Sequence, residues 1–162
     1  MRRLGLLALL SLFLLTAMPA WAAQEIKPFV RGSIQKIVSA RQGKPFIINF
    51  WSLSCTYCGD ELAMLKNLSA KYPKLDLVLI STDTRGEEKQ VYDMLAKFSL
   101  NKAEAWVFAE TYTERLYFEI DRKWQGELPR TYFFSAKNEI KSISGKLDQQ
   151  YLEQWAKQQY GY

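Results

Sequence analysis

The chain has 162 residues with a net charge of +5, and it contains no histidine and only two cysteines. The charge is modest and no basic run is interleaved with aromatic residues, which argues against nucleic acid as a partner. No metal site is expected either, because two thiolates without histidine or further soft ligands cannot complete a tetrahedral zinc site or a typical copper site.

The first 22 residues have the pattern of a secretory signal peptide. Arg2 and Arg3 precede an apolar run over residues 4–17, and small residues at Ala20 and Ala22 suit signal peptidase, with cleavage expected after Ala22. An uncleaved membrane anchor is the alternative, although the apolar run is short for a span. Removal of 22 of the 162 residues leaves 140, enough for a single domain at 23–162. Export favours a compartment where disulfides persist, which we interpret as a bacterial periplasm.

The remaining chain predicts alternating strands and helices after an extended leader at 23–30. In chain order we predict a helix capped by Ser33 and ended by Gly43, a strand at 45–51, a helix at 60–72, a strand at 75–80, a helix at 87–98, a strand at 105–108, a helix at 113–120, a hairpin of strands at 131–134 and 139–144, and a helix at 148–159. The first two strands should be parallel neighbours, because a helical crossover joins them. This order predicts an α/β fold, with helices on both faces of a mixed sheet.

The two cysteines, Cys55 and Cys58, lie where the first strand gives way to a helix. Amides and the positive dipole end at a helix N-terminus stabilise a thiolate, so we expect Cys55 to titrate below a free thiol and to be the nucleophile. Cys58, one turn inward, would be the resolving thiol. A structural disulfide is the alternative, but one that closes so short a loop gains little loop entropy. A CxxC in a βα setting is typical of a redox dithiol.

Three segments together resemble the thioredoxin-like proteins, and within them the exported TlpA and ResA-like thiol-disulfide reductases. They are Asn-Phe-Trp at 49–51 leading into the CxxC, Glu61 three residues after it, and Leu-Pro-Arg-Thr-Tyr-Phe at 128–133 before the terminal hairpin and helix. The resemblance covers essentially the whole mature chain. It implies a thioredoxin-like fold in which the helix and strand between Glu87 and Phe108 are an insertion after the second core strand.

The resemblance also implies roles for two residues beyond the cysteines. Pro129 would be cis and would face the CxxC, so that its flanking backbone can pair with an extended substrate. Glu61 would accept the proton that Cys58 must lose, because the buried aspartate of many thioredoxins corresponds here to Asn49, which cannot take a proton. A first-turn acid that complements the helix dipole is the other interpretation of Glu61.

Further residues are candidates for the substrate groove. Leu128 and Arg130 flank the proline, Tyr57 lies between the cysteines, and Trp51 and Trp124 are aromatic. For the two tryptophans, packing in the core or a loop is the alternative.

The resemblance implies an exported thiol-disulfide oxidoreductase that acts as a reductase. Its dithiol cycle needs no metal or organic cofactor, and nothing in the sequence demands more than a monomer. Its partners would be disulfide-containing exported clients, such as apocytochrome c, copper-site assembly proteins or oxidised single thiols, and a membrane thiol transporter of the DsbD or CcdA kind as electron donor. Two alternatives remain: a dithiol oxidase or isomerase, which Tyr57 favours, and a non-catalytic module that binds clients or handles metal.

Overall fold

The computed structural model describes residues 25–161, so the predicted signal peptide at 1–22 lies outside the described residues. The elements are β1 (Ile26–Phe29), α1 (Ser33–Ser39), β2 (Phe46–Trp51), α2 (Cys58–Lys71), β3 (Leu77–Ser81), α3 (Glu88–Lys97), β4 (Glu104–Phe108), α4 (Thr113–Ile120), β5 (Arg130–Phe134), β6 (Ile140–Ser144) and α5 (Gln149–Tyr160). Within this part of the chain, no helix combines the length and apolar character that a membrane crossing requires.

The six strands form one mixed sheet in the order β1-β4-β3-β2-β5-β6. The first four strands run parallel, whereas β5 is antiparallel to β2, and β6 is antiparallel to β5. The predicted α/β class, the parallel pair β2 and β3, and the terminal hairpin and helix are confirmed. The strand of the predicted insertion, β4, lies between β1 and β3.

Two predictions at the start of the domain are wrong in detail. Residues expected to be an extended leader form edge strand β1, whose Pro28 lacks an amide proton and is tolerated at a sheet edge. The N-cap of α1 is Gly32 at φ +83°, a conformation that suits glycine, and not Ser33. Ser33 is the first helical residue, and its Oγ accepts a hydrogen bond from the Val30 amide at 3.0 Å.

An apolar core lies on each face of the sheet because both faces of β2 are buried. One face, with Ile47 and Trp51, packs against α2, α3 and α5. The other face, with Ile48 and Phe50, packs against α1 and α4. Each fully buried side chain of this size contributes about 1.5–3 kcal/mol, so β2, like its fully buried neighbour β3, contributes to both layers.

The carboxyl ends of β2 and β3 meet at one edge of the sheet, where Trp51 is paired with Ser81. Helix α2 starts from this edge and packs through Leu62, Leu65 and Leu68. The segment between β2 and α2 therefore lies at the open end of the sheet, and it carries the two cysteines.

Candidate active site

Cys55 and Cys58 form a disulfide whose two sulfurs differ in exposure. Cys55 is half-buried, whereas Cys58 is 1% exposed and belongs to the apolar core under α2. Helix α2 begins at Cys58, so Cys55 lies in the turn before the helix rather than within its first turn. The Cys58 amide donates to the Cys55 carbonyl at 3.3 Å. Only one sulfur of the pair is therefore open to attack by a protein-sized partner.

Asp83, just beyond the end of β3, holds the segment that precedes Cys55. Its Oδ2 accepts hydrogen bonds from the Leu53 amide at 2.9 Å and from the Ser81 hydroxyl at 2.5 Å. The Thr82 amide adds a bond to the Trp51 carbonyl at 2.9 Å. We did not predict this support. Its signal was the polar run that follows β3, since neighbouring parallel strands end at the same edge.

Glu61 lies three residues after Cys58 on the same side of α2, and its side chain is fully buried. Its Oε1 accepts hydrogen bonds from Asn49 Nδ2 and Thr131 Oγ1, both at 2.6 Å. Its Oε2 accepts one from the Leu147 amide at 3.0 Å. Burial raises the pKa of Glu61, and the hydrogen bonds from Thr131, Leu147 and Asn49 only partly oppose this rise. A buried carboxyl group with a raised pKa is the kind of group that can take up a proton near neutral pH.

Asn49 is buried at the centre of β2, in direct contact with Glu61. Its Nδ2 also donates to Thr131 Oγ1 at 2.9 Å, and its Oδ1 has no hydrogen-bond partner among the described residues. Position 49 thus carries an uncharged amide, and the buried acid in contact with it is Glu61, as the resemblance implied.

Pro129 lies beside the end of β2 from which the CxxC segment departs. The Leu128–Pro129 peptide bond is cis, as the resemblance implied. Strand β5 begins at Arg130, opposite Phe50, which places Pro129 level with the last residue of β2. The Pro129 carbonyl accepts a hydrogen bond from the Gly145 amide at 2.8 Å, whereas within residues 25–161 nothing hydrogen-bonds to the backbone of Leu128.

Two of the residues predicted to contact substrate have other partners in this structure. The Arg130 guanidinium donates to Asp121 at 2.7 Å and to Ser144 at 2.7 Å, on the sheet face opposite to α2. Trp51 is 1% exposed and packs in the core with Cys58. Both side chains are therefore engaged within the domain, and contact of either one with a substrate stays a prediction.

The two remaining aromatic candidates differ from each other. Tyr57 is 61% exposed between the cysteines. Trp124 is buried against Phe50 and Tyr117, and its Nε1 donates to the Glu127 carbonyl at 2.9 Å. Tyr57 can therefore contact a partner, whereas Trp124 fixes the loop that leads to Pro129.

Comparison with solved structures identifies the fold. The chain is similar to a secreted disulfide oxidoreductase of Mycobacterium tuberculosis homologous to DsbE of E. coli, with a TM-score of 0.56 and 21% identity over 73% of this chain and 84% of that one. It is similar to a thioredoxin-family thiol:disulfide interchange protein of Chlorobium tepidum, with a TM-score of 0.59 and 16% identity over 76% and 84% of the two chains.

StoA of Bacillus subtilis matches with a TM-score of 0.51 and 21% identity over 70% of this chain and 83% of that one. No protein-family model and no curated protein sequence matches the chain. The structural likeness, together with the sheet order and the Cys55–Cys58 pair after β2, shows that the chain has the thioredoxin-like fold of these thiol-disulfide oxidoreductases.

Proposed function

We propose that the protein is an exported thiol-disulfide oxidoreductase that reduces disulfides in client proteins. The observation that carries the proposal is the unequal exposure of the two sulfurs, with a buried carboxyl group three residues after the inner one. An inert structural disulfide needs neither a half-exposed sulfur at a helix N-terminus nor a proton acceptor on the same face of that helix.

The reaction begins with the reduced protein. The Cys55 thiolate, stabilised by the N-terminal amides of α2, attacks one sulfur of the client disulfide. A Cys55–client bond forms, and the other client sulfur leaves as a thiolate. Cys58 then gives its proton to Glu61 and attacks Cys55, which forms the Cys55–Cys58 disulfide and releases the second client thiolate. Two electrons pass from the protein to the client, and no metal or organic cofactor takes part.

Client binding would use the surface beside Cys55. The free N–H and C=O of Leu128 are available to pair with an extended client segment next to the cis Pro129, in the manner of an added β-strand. Tyr57, with most of its ring exposed, would contact side chains of the same segment. Main-chain pairing of this kind accepts many sequences, which suits an enzyme with several clients.

The cellular setting follows from the same proposal. Residues 1–22 would direct export to the periplasm, where residues 23–162 act as a monomer on clients of cytochrome c maturation or copper-site assembly, or on oxidised single thiols. A membrane thiol transporter of the DsbD or CcdA kind would return the Cys55–Cys58 disulfide to the dithiol state, because an oxidising compartment offers no other steady supply of electrons.

The first experiment is a redox titration of the mature domain against a dithiol buffer, with Cys55→Ser as the blank. We expect a reversible two-electron couple near the value of thioredoxin, about −270 mV. A couple near about −120 mV, the value of DsbA, would make the protein a disulfide donor and reverse the proposed direction. The lack of any reversible couple would exclude a redox function.

A trapping experiment tests the order of the two steps. Reduced Cys58→Ser protein, mixed with a peptide that contains one intramolecular disulfide, should accumulate a covalent adduct through Cys55 that mass spectrometry detects. Reduced Cys55→Ser protein is the matched control and should form little adduct, because the remaining sulfur is buried. Equal adduct formation by both variants would contradict the assignment of Cys55 as the nucleophile.

A further inference from the structure

The carboxyl group of Glu61 is held by an ordered set of donors from three other parts of the chain. Asn49 comes from β2, Thr131 from β5, and the Leu147 amide from the segment between β6 and α5. Asn49, Glu61 and Thr131 are fully buried, so water does not compete for these bonds. The donor and acceptor of each hydrogen bond can therefore be assigned from the protons that these side chains carry.

The direction of every hydrogen bond in the set follows from simple counting. Asn49 Nδ2 has two protons, and its two acceptors are Glu61 Oε1 and Thr131 Oγ1. Because the Thr131 oxygen accepts from Asn49, its single hydroxyl proton is free to point at Glu61 Oε1, 2.6 Å away. Asn49 therefore orients the Thr131 hydroxyl, and both groups donate to the same carboxylate oxygen.

The two oxygens of Glu61 are left in different states. Oε1 receives two donors, which fill the roughly two lone-pair positions of a carboxylate oxygen. Oε2 receives only the Leu147 amide, so one of its lone pairs is unoccupied by any described residue. A proton can therefore be accommodated on Oε2 without breaking a hydrogen bond, whereas a proton on Oε1 would displace a donor.

We propose that Thr131 and Asn49 are positioning residues, which hold Glu61 with Oε1 saturated so that Oε2 is the oxygen that takes the proton of Cys58. This assignment rests on the proposed role of Glu61 in the dithiol reaction and extends it to β2 and β5. It also explains why residue 49 is an amide. An aspartate there would lose both donors and set a second carboxylate against Glu61, so the two acids would compete for one proton.

The charged groups around this site are already engaged elsewhere. Asp60, next to Glu61 on α2, is exposed and bonds to Lys146 at 3.0 Å. Asp148 caps α5 by accepting from the Tyr151 amide at 2.7 Å. The side chains of β2 and β5 that contact Glu61 are the uncharged Asn49 and Thr131. Their amide and hydroxyl donors therefore adjust the proton affinity of Glu61.

The test compares Thr131→Val, which removes the hydroxyl at nearly constant volume, with Thr131→Ser, which keeps it. The pH titration of the Glu61 carboxyl carbon is followed by NMR in the disulfide form, where neither cysteine titrates. We expect Thr131→Val to raise the pKa of Glu61 above the wild-type value, because the charged form loses a donor, while Thr131→Ser remains close to wild type. If Thr131→Val does not fold, Asn49→Ala, which removes both amide donors, should give the same upward shift.

Two results would overturn the inference: a Glu61 titration that Thr131→Val leaves unchanged, or an equal shift in Thr131→Ser, which would indicate a packing effect. A kinetic readout accompanies the titration. In reduced protein, the pH–rate profile for release of client by Cys58 should shift to higher pH in Thr131→Val and not in Thr131→Ser. A wild-type protein without a reversible dithiol couple would instead refute the proposed function, so the failures of the two proposals are distinguishable.

Discussion

Asp83 offers the sharpest test of how the cysteine segment is supported. The Asp83→Ala change removes the acceptor of two hydrogen bonds. Ser81 is fully buried, so its hydroxyl proton would lose its acceptor without access to water, at a cost of about 1–3 kcal/mol, although the Asp83 amide would still donate to the hydroxyl oxygen. Leu53 is half-buried, and its amide should lose about 1 kcal/mol. We therefore expect Asp83→Ala to lower the free energy of unfolding by about 2–4 kcal/mol.

The assay is urea unfolding of the oxidised protein, with the midpoint and slope fitted separately. Asp93→Ala is the matched control, because Asp93 is exposed on α3. Among the described residues its ion pair is with Lys89 at 2.6 Å, a contact worth about 0.5 kcal/mol or less. Asp83→Asn keeps an oxygen for both donors and should lose about 1 kcal/mol or less. If Asp83→Ala were no less stable than Asp93→Ala, the claim that Asp83 holds the segment before Cys55 would be refuted.

Three further predictions concern the core, an ion-pair cluster and the thiols. Arg41→Met should lower the free energy of unfolding by about 2–4 kcal/mol, because the guanidinium is mostly buried and bridges the carboxylates of Asp76 and Glu104. Urea unfolding measures this loss, and a loss below about 0.5 kcal/mol would show that the two ion pairs do not contribute to stability. Leu65→Ala, at a fully buried position on α2, should cost about 3–5 kcal/mol by the same assay, and a small loss would mean that the helix repacks. In reduced protein, alkylation by iodoacetamide followed by peptide mapping should modify Cys55 at least about tenfold faster than Cys58, whereas equal rates would contradict the burial of the inner thiol.

The local parts of the site could be predicted from sequence because they depend on short spacing. The strand, the CxxC turn and the helix are contiguous, and the order of exposure of Cys55 and Cys58 follows from where α2 starts. Strand β1 was missed for the opposite reason. Its four residues include Pro28 and lack an alternating pattern, and their pairing partner β4 is far away in the chain, so the tertiary contact defines the strand.

The surroundings of Glu61 depend on residues that are distant in sequence. Thr131 lies 70 positions from it and Leu147 lies 86 positions away, and the latter acts through its backbone, which carries no side-chain signature. The surroundings of Arg130 depend on a related feature. Its side chain points to one face of β5 and that of Thr131 to the other, and only the register against β2 decides which of the two lies near α2.

The two carboxyl groups near the CxxC segment have separate sets of hydrogen-bond donors. Asp83 anchors the backbone before the accessible Cys55, while Glu61 lies beyond the buried Cys58 in a site that raises its pKa. The first group remains a hydrogen-bond acceptor throughout the proposed cycle, whereas the second changes its protonation state when Cys58 becomes the attacking thiolate. Asp83 is held by β3, whereas Glu61 is held by β2 and β5. The position of Cys55 and the proposed proton transfer from Cys58 therefore depend on separate contacts. We therefore expect substitutions around Asp83 to act first on Cys55 and substitutions around Glu61 to act first on the resolving step of the proposed reaction.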